Sequence, residues 1–379
     1  MHWLPGIRCA LVLFGMIASA LPGRAADFYQ GKQLVVLVNF AQGGPTDAEG
    51  RLLARHLGRV VAGAPSVIIH NMAGDNGAAA ANWLAKSAAP DGLIVGCFST
   101  IASMRALDEP VLSRSVARLS FVAAGAGIGV TYARTDIGGG IGKPNDLLEK
   151  RDFWAGGLRT DSDRDLRLRL QLDLLGVKHN YQSGFPGITE ARQAFQRGEI
   201  QVLLEPLRAY RSAILPSLVD PGIAMPLWID PIDDGETFQR SPEADDLPAL
   251  TFTDVLSQAR GKLPETELFD AWRLVNQMGT VFQRVLVMAP GTPSAAVEAL
   301  RRAVEMMPAD PAFRDDALTS IKFVPSYLTD VKTAALFAKV TDPAPNIQAF
   351  LKKYVQSVTP GDAKSGPGSP GEAPRKNAP

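Results

Sequence analysis

Leu34-Val35-Val36-Leu37-Val38-Asn39-Phe40-Ala41-Gln42-Gly43-Gly44-Pro45-Thr46-Asp47 decides how the chain is read. Five apolar, largely β-branched residues in a row predict a strand buried on both faces. Gly43 and Gly44 let the backbone turn sharply and leave no side chain above it. Thr46 followed by Glu49 has the spacing of a capping box, which predicts a helix from here to about Val61. Leu53, Leu57, Val60 and Val61 give that helix one apolar face. A strand, a bare glycine turn and a helix N-terminus together predict an anion site, because unpaired N–H groups and the helix dipole converge there.

The same unit recurs downstream. Ser66–His70 is predicted as a second strand, Ala78–Lys86 as an alanine-rich helix and Leu93–Cys97 as a third strand. Short strands alternating with helices predict a parallel sheet with right-handed crossovers, and ligands of such sheets bind beyond the C-terminal strand ends. The loops at that rim are 41–47, 71–77 and 98–103. A glycine-rich stretch over 121–142 is read as a crossover into a second lobe. There the plan repeats, with a strand at Asp152–Ala155, paired glycines Gly156 and Gly157, and a helix from about Asp163 to Leu175. Leu166, Leu168, Leu170, Leu172 and Leu174 alternate as in a strand, but length and the helix preference of leucine and arginine favour the helix. Ile188–Arg197 is read as a helix and Ile200–Leu204 as a strand. Met225–Ile229 is read as a strand returning to the first lobe, and Asp230–Leu247 as a surface connection.

The chain has 379 residues, with 39 basic and 39 acidic side chains. That balance gives no pointer to nucleic acid or an anionic membrane surface. Arg8, the apolar run Cys9–Leu21 and the small residues Gly23 and Ala25 read as a signal peptide cleaved before Ala26. Thr359–Pro379 carries no hydrophobic run and is expected to be disordered. Of the two cysteines, Cys97 alone would remain after cleavage, so no disulfide is expected. The histidines show no metal-ligand spacing, and no G-x-S-x-G elbow or phosphate-loop spacing is present.

Val38-x-Phe40-x-x-Gly43-Gly44-Pro45-Thr46-Asp47, followed by Arg51-Leu52-Leu53-Ala54-x-x-Leu57, resembles the receptors of tripartite tricarboxylate transporters. Asn71-Met72-x-Gly74, Pro90-Asp91-Gly92, Gly184-Phe185-Pro186-Gly187-x-x-Glu190 and Arg197-Gly198-Glu199 follow in the same order. The resemblance spans 31–358. It implies a two-lobed α/β fold of the type II periplasmic-binding-protein kind, each lobe a mostly parallel sheet flanked by helices, with a ligand cleft between the lobes. The lobes it implies are 26–128 with 225–358, and 129–224.

It further implies a monomeric periplasmic receptor for a small carboxylate, with membrane transporter subunits as partners and no cofactor, metal or catalytic residue. The ligand-binding positions carried over are Phe40, Gly43, Gly44, Thr46, Asp47, Ser99 and Thr100 from the first lobe. From the second they are Gly157, Thr160, Pro186, Gly187 and Glu190. Asp47 is expected to brace its turn, since a carboxylate facing an anion repels it. Asp75 and the charged run 158–164 depart from the family pattern. A second reading is an exported enzyme using Asp75, Asp161 or Asp163.

Overall fold

A computed structural model describes residues 28–357. The signal peptide and the C-terminal tail read from the sequence lie outside the described residues. The first lobe comprises β1 (Gln33–Val38), α1 (Pro45–Val60), β2 (Ser66–Asn71), α2 (Ala78–Lys86), β3 (Ile94–Phe98), α3 (Ile101–Ala106) and β4 (Ser120–Gly125). The chain then crosses to β5 (Gly129–Arg134), β6 (Trp154–Gly156), α4 (Asp163–Leu174), β7 (Asn180–Gln182) and α5 (Ile188–Arg197). β8 (Val202–Pro206), the short α6 (Leu207–Ala209), a π-helical stretch Tyr210–Val219 and β9 (Ala224–Ile229) complete that lobe's strands. A small hairpin, β10 (Ile232–Asp233) and β11 (Phe238–Gln239), leads to α7 (Phe252–Arg260) and α8 (Glu267–Thr280). The chain ends with β12 (Arg284–Met288), α9 (Ser294–Met306), α10 (Pro311–Ser320), β13 (Tyr327–Leu328), α11 (Val331–Thr341) and α12 (Pro345–Gln356).

Two mixed sheets result, ordered β13-β4-β12-β3-β1-β2 and β7-β6-β8-β5-β9. β1 is parallel to β2 and β3, whereas β12 is antiparallel to both its neighbours. β5 is likewise antiparallel to β8 and β9. Each sheet is therefore mostly co-directional, with β12 and β13 reversed in the first and β5 in the second; β12 and β5 are the strands on which the chain arrives from the other lobe. β1 reads as expected: Leu34, Val36, Leu37 and Val38 are all buried.

The strand read at 225–229 does not return to the first lobe. β9 pairs with β5, Val130 lying opposite Ile229. Trp228 on β9 is buried and donates from Nε1 to Gln171 Oε1 of α4 at 3.0 Å. The chain after β9 stays with the second lobe as well, since α7 packs on β9. Nor is 230–247 a bare surface connection. Asp233 there is fully buried and accepts two bonds from Arg273 and one from Gln277, both on α8.

The leucine alternation in α4 has its explanation in packing. The helix is buried nearly all round, and Leu166, Leu168, Leu170 and Leu172 enter one apolar core. The polar residues between them each have a fixed partner. Arg167 bonds Asp230 at 2.7 Å, Arg169 bonds the carbonyls of Thr160 and Tyr354, and Gln171 bonds Asp230 at 2.8 Å. A helix enclosed on all sides loses its one-sided pattern. α8 lies against α4, and also touches α3, α11 and α12 of the first lobe's layer. The contact is close because α8 has Gly279 there, where a Cβ would stand 2.6 Å from both Arg167 Cζ and Asp163 Oδ2.

Asp230 is the post at the crossing. Its Oδ2 accepts from the Gly129 N–H at 3.0 Å as well as from Arg167. Replacing it with alanine removes the closer of Arg167's two carboxylates, leaving Asp163 at 3.6 Å, and costs about 3 kcal/mol. Chemical unfolding of D230A should show a loss of that size.

Candidate functional site

Three loops meet at the C-terminal ends of β1, β2 and β3, and the side-chain amides of Asn39 and Asn71 hold them together. Asn39 donates from Nδ2 to the carbonyls of Ser99 (2.9 Å) and Gly77 (3.3 Å), and its Oδ1 accepts from the Ser99 N–H at 3.2 Å. One side chain thus joins the first loop to the other two. Gly77 must be glycine: it has φ +96°, and a Cβ would stand 2.5 Å from Asn39 Nδ2. Asn71 donates to the Phe40 carbonyl and to Asp47 Oδ1, both at 2.9 Å.

Asp47 braces the turn, as its sequence position suggests. Its Oδ2 accepts from the Gly43 N–H at 2.9 Å and from Arg51 Nε at 2.8 Å. Burial pushes its pKa up, but the bonds from Arg51, Gly43 and Asn71 outweigh that and hold it below the usual carboxylate value. The Thr46–Glu49 capping box, by contrast, does not form. α1 starts at Pro45 with Gly44 as its N-cap and no side-chain cap. Glu49 instead accepts from Arg284 Nε of β12 at 2.9 Å, and Arg284 Nη1 donates to Thr46 Oγ1 at 3.0 Å. Tyr327 of β13 donates to the other Glu49 oxygen at 3.3 Å. The hydroxyls of Thr46 and Ser99 lie 3.1 Å apart. Arg284 takes one acceptor site on Thr46, and the Thr46–Ser99 bond can run in either direction, so both hydroxyls can adjust to a ligand.

These groups floor a cavity of about 500 Å³ between the lobes. Phe40, Gly44, Thr46, Ser99 and Thr100, all expected from the sequence, line it. Gly43 and Asp47 stand behind the loop as its support. Thr100 is held at φ +68°, a backbone region that β-branched residues avoid, and its hydroxyl reaches the Asn76 carbonyl at 3.1 Å.

Gly157, Thr160, Pro186, Gly187 and Glu190 do not line this cavity. Gly157 lies against Tyr181 and Asp165, where no Cβ fits. Thr160 offers its carbonyl to Arg169. Pro186 and Gly187 lead into α5, and Glu190 is exposed in its first turn. The charged run 158–164 satisfies itself in part, with Arg159 making two bonds to Asp161. Asp75 is exposed and is not in the cavity lining.

The second lobe's contributions are Asp163 and Arg208, neither of them a ligand position inferred from the sequence. Met278, Phe282 and Gln283, near the end of α8, complete an apolar wall with a polar edge. Arg208 is the informative one. Its guanidinium lies over the Phe323 ring at 4.3 Å. Among the described residues it has no hydrogen-bond or ion-pair partner. Burial pulls its pKa down, partly offset by Glu49 and Glu243. A partly buried guanidinium without an anion is costly unless something else supplies one.

Among the described residues no cluster of three or more His, Cys, Asp or Glu could hold a metal ion. No helix there is long and apolar enough to cross a membrane. No protein-family model matches the sequence, and no curated protein does either. Solved structures do match. A TctC solute binding protein from Polaromonas superposes with a TM-score of 0.64 at 18% identity, over 87% of this chain and 100% of that one. The chain has the TctC fold. Rpa4515 from R. palustris, solved with adipate, gives a TM-score of 0.51 at 17% identity, over 86% of this chain and 98% of that one.

Asp47 yields a prediction whose sign is fixed. Its pKa is lower folded than unfolded, so its contribution is present above the unfolded value of about 4 and is lost as pH falls through the folded value. Asp47→Asn should cost about 1–2 kcal/mol at neutral pH. In urea titrations, the gap between wild type and variant should narrow below about pH 4.

Proposed function

We propose that this protein is a periplasmic solute-binding receptor that captures a small organic acid between its lobes and delivers it to a tripartite-type transporter or a sensor. The observation that carries the reading is Arg208, an unpaired guanidinium facing a floor of hydroxyl groups. A ligand carboxylate on Arg208 relieves its desolvation, and a bidentate pair fixes the acid's orientation. Ser99 and Thr100 lie on the same floor, and Phe40, Met278 and Phe282 suit a short carbon chain. The TctC fold and the adipate in Rpa4515 support looking for an acid here.

Closure completes the site in this reading. The lobes bend at the linkers around 126–128 and 281–283, and the second-lobe loops at Gly157, Thr160, Pro186, Gly187 and Glu190 come down on the ligand. The first-lobe loop supplies Phe40, Gly44 and Thr46, with Gly43 and Asp47 keeping it in shape. No turnover is expected. Of the three carboxylates an enzyme reading would use, only Asp163 lines the cavity, and Arg167 stands 3.6 Å from it.

Thermal unfolding against di- and tricarboxylates, monoacids, amino acids and neutral amides tests the proposal. An acid at one hundred times its dissociation constant adds about 2.7 kcal/mol, or several degrees in melting temperature. Arg208→Gln should weaken that acid at least tenfold while keeping its unliganded melting temperature within a few degrees. Absence of any acid-dependent shift, or an Arg208→Gln variant that binds as wild type does, would sink the reading.

A further inference from the structure

Among the described residues, the charged side chains lining the cleft cavity are Arg284, Arg208 and Asp163. Arg284 is neutralised by Glu49 at 2.9 Å, and Arg208 is unpaired. Asp163 belongs to a group with one negative charge in excess. Arg167 stands 2.7 Å from Asp230 and 3.6 Å from Asp163, so one guanidinium serves two carboxylates. The nearer, Asp230, is buried, whereas the Asp163 side chain is 36% exposed and lines the cavity. α8 lies against Asp163 and Arg167 at Gly279, which keeps both side chains in place.

The turns that could hold a second ligand carboxylate are already bridged from within. In each lobe an aspartate in the first turn of a helix accepts from the loop ahead of it. Asp47 of α1 takes the Gly43 N–H at 2.9 Å and pairs with Arg51. Asp165 of α4 takes the Arg159 N–H at 2.6 Å and pairs with Arg164 at 3.2 Å. Both carboxylates are buried. They occupy the positions at which a helix N-terminus would receive an anion, and their charges oppose another one there.

We infer that the ligand is a monocarboxylate: its single carboxylate binds Arg208, and its far end is an uncharged hydroxyl or amide that donates to Asp163. The inference rests on the receptor reading above and narrows the acid within the same cavity. A dicarboxylate would set its second charge against Asp163, with no unpaired cation in the lining to receive it. A hydroxyl or primary amide instead gives Asp163 a charge-assisted hydrogen bond, so the site discriminates by repulsion as well as attraction. Arg167 already holds part of the Asp163 charge, so a neutral donor suffices where an ammonium would also meet the guanidinium. Phe40, Met278 and Phe282 take the carbon chain in between.

Isothermal titration of the whole protein at neutral pH and low salt tests this. The probes are short straight-chain acids ending in a hydroxyl or a primary amide, each compared with the dicarboxylate and the plain monoacid of equal length. One donor-ended acid should bind about tenfold tighter than both counterparts, or more. In Asp163→Asn the dicarboxylate should gain and its gap to the donor-ended acid should shrink about fivefold or more. Asp163→Ser, which keeps a short polar side chain in the first turn of α4, should narrow the gap in the same direction. A dicarboxylate or plain monoacid that binds wild type as tightly as every donor-ended acid overturns the proposal while leaving the receptor reading intact. So does a folded Asp163 variant that keeps the wild-type preference. If no acid of any kind binds, the receptor reading fails and the monocarboxylate proposal with it.

Discussion

Arg284 bonded to Glu49 is the interaction on which the first lobe's binding face depends. Both side chains are buried, and they come from the reversed strand β12 and the first turn of α1. The pair satisfies two largely buried charges, and its remaining bonds go to Tyr327 and Thr46. Cys97 lies in the same environment, where burial and then the Glu49 charge push its thiol up to about 12. That leaves the thiol inert and makes the cluster a structural one. A buried ion pair adds little net stability over apolar packing but strongly penalises rearrangement. Here it fixes the rotation of α1 about its axis, and so fixes where Thr46 and Ser99 face the cavity.

The second lobe is held by a different device. α4 and α8 press together at Gly279, and Arg167 and Asp230 lie buried beside that contact. One apolar core runs from the α2 and α3 side of the first lobe through Trp272 and Met278 of α8 to the leucines of α4. The lobes thus share a continuous core on the α8 side. Gly129, where the chain enters the second lobe, is tied to Asp230 backbone to backbone as well as through the carboxylate.

The parts legible in the sequence are those governed by local rules. Runs of β-branched residues marked β1 to β3, and alanine richness marked α2 to its ends. The glycine loop and the residues Phe40, Gly44, Thr46, Ser99 and Thr100 came from a motif resemblance, and they do meet at one cavity. What was misread depended on partners far along the chain. The capping box failed because Glu49 is claimed by Arg284, 235 residues away, while Pro45 starts the helix at Gly44. β9 belongs to the second lobe although its buried run would suit either sheet; pairing with β5 and the bond from Trp228 to Gln171 place it there. Arg208 left no signal at all. It stands just before a π-helical stretch interrupted by Pro216, where no period shows, and its importance lies in having no partner.

The two arginines nearest the cavity separate structural charge from functional charge. Arg284 is spent inside the frame, each of its bonds ending on a protein oxygen. Arg208 is left over. The anion site expected from the strand–glycine–helix pattern is correspondingly weaker than that pattern suggests, because the Gly43 N–H is taken by Asp47 and Pro45 has none to give. Backbone N–H groups recognise any carboxylate alike, whereas a single guanidinium on one side of a hydroxyl floor imposes an orientation. In the receptor reading proposed above, recognition passes from the helix end to Arg208, and the selective contacts pass from the first lobe to the second. Selectivity then depends on what the second lobe places around that one side chain.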